Sequence, residues 1–185
     1  MSRGKQIGLL MLGASFLALV VLILVLGLMP HRAGFILAKW TFRARFLDVR
    51  FISTAQLADW LSDTNREAPI LLDARTEAEF NVSHLPNAVR DIPPEAIASG
   101  KPVVAYCSIG WRSAEAVRRL VQDGHTNVFN LEGSIFVWAS EGRPLELHGQ
   151  AVHKVHPYNS EWGRLLPPAL RSDQADVGDE DQSHR

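Results

Sequence analysis

Cysteine occurs once in this chain, at position 107, within Val103-Val104-Ala105-Tyr106-Cys107-Ser108-Ile109-Gly110-Trp111-Arg112-Ser113-Ala114-Glu115. The apolar run up to Tyr106 predicts a strand, the glycine a short loop, and the residues from Ser113 a helix. A loop that turns from strand into helix aims several backbone N–H groups at one point. The helix start adds partial positive charge, and Arg112 adds a full one. A thiol in that field ionises readily, and the thiolate is the nucleophile. The same cradle suits a bound anion or the terminal sulfur of a persulfide. Cys107 is therefore the candidate nucleophile, and Ser108, Ile109, Gly110, Trp111 and Arg112 form the candidate anion-binding loop. A cation at a helix start is opposed by the helix dipole, so Arg112 calls for an anionic partner, a role that a substrate oxyanion would fill. Trp111 is suited either to lining the pocket or to plugging the helix start. With one cysteine there is no internal disulfide and no second thiol in the chain to resolve an oxidised Cys107.

The elements that must position this loop alternate between strand and helix patterns. Phe51-Ile52 reads as a short strand, and Ser53 to Gln56 is a capping box that opens a helix through Trp60 and Leu61. Pro69 to Asp73 reads as a buried strand, and Thr76 to Glu79 is a second capping box with a short helix. His84 to Val89 is a turn leading into a brief strand, followed by a weak helical stretch ending at Gly100. Pro102 to Tyr106 is the strand that feeds the Cys107 loop, and Ser113 to Gln122 is the helix after it. Asn127 to Asn130 and Ile135 to Ser140 supply a further strand and helix. Such alternation predicts an α/β domain with a parallel sheet, whose ligands sit beyond the carboxyl ends of the strands. Leu147 to Pro168 stays moderately apolar, with Tyr158, Trp162, Leu165 and Leu166, and is expected to pack along the domain or against a membrane. The acidic, polar tail after Ala169 has the composition of a disordered segment.

Ile7 to Met29 carries no charged side chain over 23 residues. As a helix it would reach about 34 Å, enough to cross the apolar core of a bilayer. It exceeds the usual apolar region of a signal peptide and ends without a small-residue cleavage pattern, so an uncleaved single-pass anchor is expected. Arg3 and Lys5 precede it, whereas Arg32, Lys39, Arg43 and Arg45 follow it, which puts the domain in the cytoplasm. Residues 31–50 mix aromatic and cationic side chains and read as a basic juxtamembrane segment facing membrane lipid. The expected organisation is an anchor over 1–30, this segment over 31–50, a domain over 51–145 and a C-terminal extension over 146–185. The net charge of −1 gives no global footprint for nucleic acid.

Three ordered motifs carry a family resemblance. Leu71-Leu72-Asp73-Ala74-Arg75-Thr76-Glu77-Ala78-Glu79-Phe80 with His84-Leu85-Pro86-Asn87-Ala88 resembles the strand-and-turn signature of rhodanese-like domains. Cys107 to Ser113 resembles that family's active-site loop, and Leu131-Glu132-Gly133-Ser134 with Trp138 resembles its closing motif. The resemblance covers about residues 51–145. It implies the rhodanese fold, a five-stranded parallel sheet flanked by helices, and a persulfide carried on Cys107 in a single-domain thiosulfate sulfurtransferase. It also implies structural roles for Asp73 and Arg75, with Arg75 paired to a carboxylate and Asp73 supporting the loop. Ser83, Asn87 and Ser134 stand where the family usually has glycine.

The expected reaction takes sulfur from thiosulfate or a persulfide and passes it to an external thiol, with no cofactor and no metal. His148, His153 and His156 lack a recognised ligand spacing and read as scattered surface histidines. Glu79 reads as the capping partner of Thr76, and His84 as bonded within its own turn. A phosphatase or arsenate reductase relative would need five residues between cysteine and arginine. Only the four residues Ser108 to Trp111 intervene here, and Tyr106 rather than histidine precedes the thiol. A non-catalytic binding module is the remaining alternative, and the retained cysteine counts against it.

Overall fold

The computed structural model describes residues 40–173. Its centre is a parallel sheet of β1 (Phe51–Ile52), β2 (Ile70–Asp73), β3 (Val103–Tyr106) and β4 (Val128–Leu131), in the order β1-β4-β3-β2. β3 lies inside the sheet, paired with β2 from Ile70↔Val103 to Asp73↔Tyr106 and with β4 from Val103↔Val128 to Ala105↔Asn130. All four of its residues are buried, as the unbroken apolar run demands of a strand covered on both faces. The helices are α1 (Thr54–Ser62), α2 (Glu77–Phe80), α3 (Pro94–Ala98), α4 (Trp111–Gln122) and α5 (Ser134–Ser140). Both expected capping boxes form: Ser53 with Gln56 at α1, and Thr76 with Glu79 at α2.

Among the described residues the sheet has four strands where five were expected. The brief strand expected after His84 contracts to one parallel bridge, Leu72↔Val89. Val89 donates to the Leu71 carbonyl at 2.8 Å and accepts from the Asp73 N–H at 2.8 Å. Pro86 lies before it and Pro93 and Pro94 after it. Proline cannot donate to a ladder, so little chain is left here for a longer strand.

The core also runs past the expected limits of 51 and 145. Residues 40–45 are helical, and Phe42, Phe46 and Val49 are buried. Arg118 of α4 fixes this segment by pairing with Asp48 and donating to the Arg45 carbonyl at 2.9 Å. On the other side, β5 (Leu145–Leu147) and β6 (Gln150–Val152) form an antiparallel hairpin. Its two turn residues, His148 at φ 51° and Gly149 at φ 74°, have the positive φ of a type I′ turn. Beyond it, Val155 and Leu166 are fully buried, so residues 153–172 pack on the domain. Among the described residues no helix is long and apolar enough to cross a membrane. The expected anchor over residues 7–29, and the tail beyond 173, lie outside the described residues.

Candidate active site

Cys107 follows β3 directly and is buried. Gly110 caps α4 with φ 113° and ψ 0°, a left-handed conformation that L side chains rarely adopt. That turn lets the Gly110 N–H reach back to the Cys107 Sγ at 3.1 Å. The sheet and α5 hold the loop from outside: the Asn130 side-chain amide donates to the Gly110 carbonyl at 2.9 Å, and Ile135 N–H donates to the Cys107 carbonyl at 3.1 Å. Burial pushes the thiol's pKa up. The charge of Arg112, followed by the backbone and hydroxyl of Ser113 and the Gly110 N–H, outweighs it, so the thiol lies below its ordinary value. Ser113 Oγ is buried without a hydrogen-bond partner, yet close enough to the sulfur to favour its charged form.

The anion that Arg112 meets in this structure is Glu79. Its two terminal nitrogens donate to the two carboxylate oxygens at 2.7 and 2.8 Å, and the second also donates to Ser108 Oγ at 3.0 Å. Ser108 Oγ in turn donates to Glu79 Oε1 at 2.9 Å. Glu79 is fully buried. Burial pushes its pKa up, but the hydrogen bonds and charge of Arg112, then the charge of Arg75 and the Thr76 N–H, bring it down to about 2. The capping role expected for Glu79 is present, with Oε2 accepting from the Thr76 N–H at 3.0 Å. Its tie to the loop was not visible in the sequence, because one carboxylate serves its own helix and a loop 29 residues away.

Asp73 and Arg75 form a buried pair, Nη2 to Oδ2 at 2.7 Å, and Arg75 also donates to the Ser83 carbonyl at 2.6 Å. They tie the end of β2 to the turn before His84, away from direct contact with the thiol. His84 Nδ1 lies 3.1 Å from the Leu85 carbonyl, within its own turn, and the ring stacks on Phe80. Trp111 makes edge contacts with Phe42 and Phe46 at 5.4 and 5.0 Å, so it joins the loop to the segment before the domain. Among the described residues no group of three or more His, Cys, Asp or Glu could hold a metal ion. His148 and His153 are exposed, whereas His156 is buried and accepts from the Tyr158 N–H.

Two further residues reach the site. Ser134 Oγ accepts from the Cys107 N–H and donates to the Leu131 carbonyl, both at 3.1 Å. Its only sequence signal is that serine stands where the family has glycine. The ring of Tyr158 lies 4.7 Å from the Arg112 guanidinium carbon, and nothing in the sequence connects residue 158 to residue 112.

The family model for the rhodanese-like domain matches residues 53–141. A sulfurtransferase of Allochromatium vinosum is 36% identical over 103 residues, covering 52% of this chain and 94% of that protein. A probable adenylyltransferase/sulfurtransferase MoeZ of Mycobacterium tuberculosis is 32% identical over 102 residues, 50% of this chain but 25% of that protein. A tRNA uridine(34) hydroxylase of Staphylococcus haemolyticus is 31% identical over 113 residues, 55% of this chain and 33% of that protein. The chain belongs to the rhodanese-like domain family. Its relatives include proteins named as sulfurtransferases, and the hydroxylase shows that the family is varied.

Proposed function

We propose that this protein is a rhodanese-type sulfurtransferase that carries sulfur as a persulfide on Cys107 and works at a membrane. The observation that carries the reading is the Gly110 N–H aimed at the Cys107 Sγ from 3.1 Å, at the start of α4. A sulfur anion there meets a backbone donor, the helix dipole and the charge of Arg112. The unpartnered Ser113 hydroxyl offers one more donor to a terminal sulfur.

In the first half-reaction the Cys107 thiolate attacks the outer sulfur of the donor. A new S–S bond forms, the donor's S–S bond breaks, and its electron pair leaves with sulfite from thiosulfate or with a thiolate from a persulfide. In the second, an external thiolate attacks the terminal sulfur and Cys107 leaves as thiolate. No net oxidant or reductant is consumed, and the kinetics are ping-pong.

Mass spectrometry of the purified protein after incubation with thiosulfate or an alkyl persulfide tests this. The expected result is a gain of one sulfur atom on Cys107, released by an added thiol and absent from Cys107→Ser. Sulfur transfer that survives in Cys107→Ser would overturn the reading. The membrane part rests on the 23-residue uncharged run from Ile7 to Met29 and the four Lys and Arg residues that follow it. The protein should stay with membranes through a carbonate wash, because hydrocarbon burial is not screened by salt. With a cytoplasmic domain, protease outside intact cells should leave it uncut.

A further inference from the structure

Arg112 is the loop's cation, yet most of its donors are already used. Both terminal nitrogens are on the Glu79 carboxylate, one also reaches Ser108, and the Tyr158 ring covers the guanidinium at 4.7 Å. Tyr158 lies beyond residues 53–141, which match the family model, in the arm that follows the β5–β6 hairpin.

That arm is built to hold the ring in place. Tyr158 has φ 68°, a left-handed conformation that non-glycine residues rarely adopt. Its N–H donates to Nδ1 of the buried His156 at 3.0 Å. Val155, fully buried, donates to the Leu170 carbonyl at 2.7 Å and accepts from the Ser172 N–H at 3.0 Å. Pro157 is buried against Gly163, where a Cβ would come within 2.8 Å of the Pro157 Cβ. A strained backbone fixed from several sides places one aromatic ring on one guanidinium.

We propose that Tyr158 is a specificity-determining residue of the Cys107 site, which withholds the Arg112 guanidinium from anionic donors and directs the site to sulfane-sulfur donors of low charge. This rests on Cys107 being the thiol that receives sulfur. The Arg112–Glu79 pair has no net charge, so it aids the thiolate from close range without offering a free cation to an incoming oxyanion. Thiosulfate would bring two negative charges to a buried thiolate. A neutral or singly charged alkyl persulfide, RS–SH, brings less repulsion: Cys107 takes its terminal sulfur, the RS–S bond breaks, and RS⁻ leaves with the electron pair.

The test uses the full chain in detergent, where alkylation reports on Cys107 alone because no other cysteine exists. Rates with anionic iodoacetate and neutral iodoacetamide are compared in wild type, Tyr158→Asn and Tyr158→Phe. Asparagine tolerates the left-handed backbone, and Tyr158→Gly gives a second ring-less variant should the first not fold. Losing the ring should raise the iodoacetate-to-iodoacetamide rate ratio roughly two- to five-fold, the range of an exposed cation–π contact. It should raise kcat/KM for thiosulfate relative to hydroxyethyl persulfide in the same direction, and Tyr158→Phe should leave both ratios at the wild-type level. Equal acceleration with both reagents, or no change in the ratio, would overturn the proposal. If no donor loads sulfur onto Cys107, the function reading fails, while the alkylation ratio still decides what Tyr158 does.

Discussion

A single carboxylate organises the site at the level of residues. Glu79 accepts from Thr76, Ser108 and Arg112, and it is fully buried. Its folded-state pKa of about 2 lies below the ordinary 4.5. A depressed carboxylate contributes stability that is fully present above the unfolded value and is lost as pH falls through the folded one. The window here runs from about pH 4.5 down to about pH 2. Urea unfolding should show wild type clearly more stable than Glu79→Gln at neutral pH, with the gap narrowing as pH drops to about 3. A gap that is constant with pH would mean that the ionised form of Glu79 is not what holds the loop.

Between elements, the Cys107 loop is held chiefly by hydroxyl and amide groups from β4 and α5. Ser134, the first residue of α5, sits at φ 50° and bridges Cys107 N–H to the Leu131 carbonyl. A glycine there would adopt the backbone without strain but could make neither bond, so serine exchanges local comfort for a tie between β4 and the loop. Ser134→Ala keeps the strained φ and loses both bonds, leaving Cys107 N–H buried without its partner. The expected cost is roughly 1–3 kcal/mol in chemical denaturation, with slower alkylation of Cys107 as the loop loses its anchor. Unchanged stability would show that the loop's other ties, through Glu79, Asn130 and Ile135, hold it without Ser134. Asn87 is the other departure with positive φ, at 60°, and asparagine is among the side chains that tolerate it best.

The domain of the whole molecule begins earlier than its motifs do. Phe42 and Phe46 meet Trp111 beside the Cys107 loop, Arg43 pairs with Glu132, and Arg118 holds Asp48. Each buried phenylalanine contributes roughly 1.5–3 kcal/mol by removal from water. A fragment starting at residue 51 should therefore be several kcal/mol less stable than one starting at residue 40, or should aggregate through exposed Trp111 and α4. Denaturation midpoints of the two fragments check this, and equal midpoints would mean that the leading segment is an accessory. The same contacts connect the chain after the proposed anchor to Trp111, beside the Cys107 loop.

Local patterns determined much of this protein. The run from Val103 to Tyr106 read as a buried strand, Ser53–Gln56 and Thr76–Glu79 could cap helices by themselves, and Gly110 marked the turn that presents the thiol. These features depend on residues within a few positions of one another, and periodicity and capping are legible at that range. The placement of the thiol at the end of a strand, the pairing of Arg75 with a carboxylate and the α/β class were readable for that reason. Contacts between distant segments decided the rest. That Arg112 closes on Glu79, that Ser134 holds the Cys107 N–H, that Phe42 and Phe46 reach Trp111, and that Tyr158 covers the guanidinium all depend on how the strands register and where the chain returns. The shortening of the strand expected after His84 belongs here too, since the one-residue bridge at Val89 reflects how far the chain between Pro86 and Pro93 can follow β2 before it turns away. A hydrogen bond or ring contact across 27 to 70 residues leaves no periodic trace in a sequence, because its partners are set by the packed sheet and not by their neighbours along the chain.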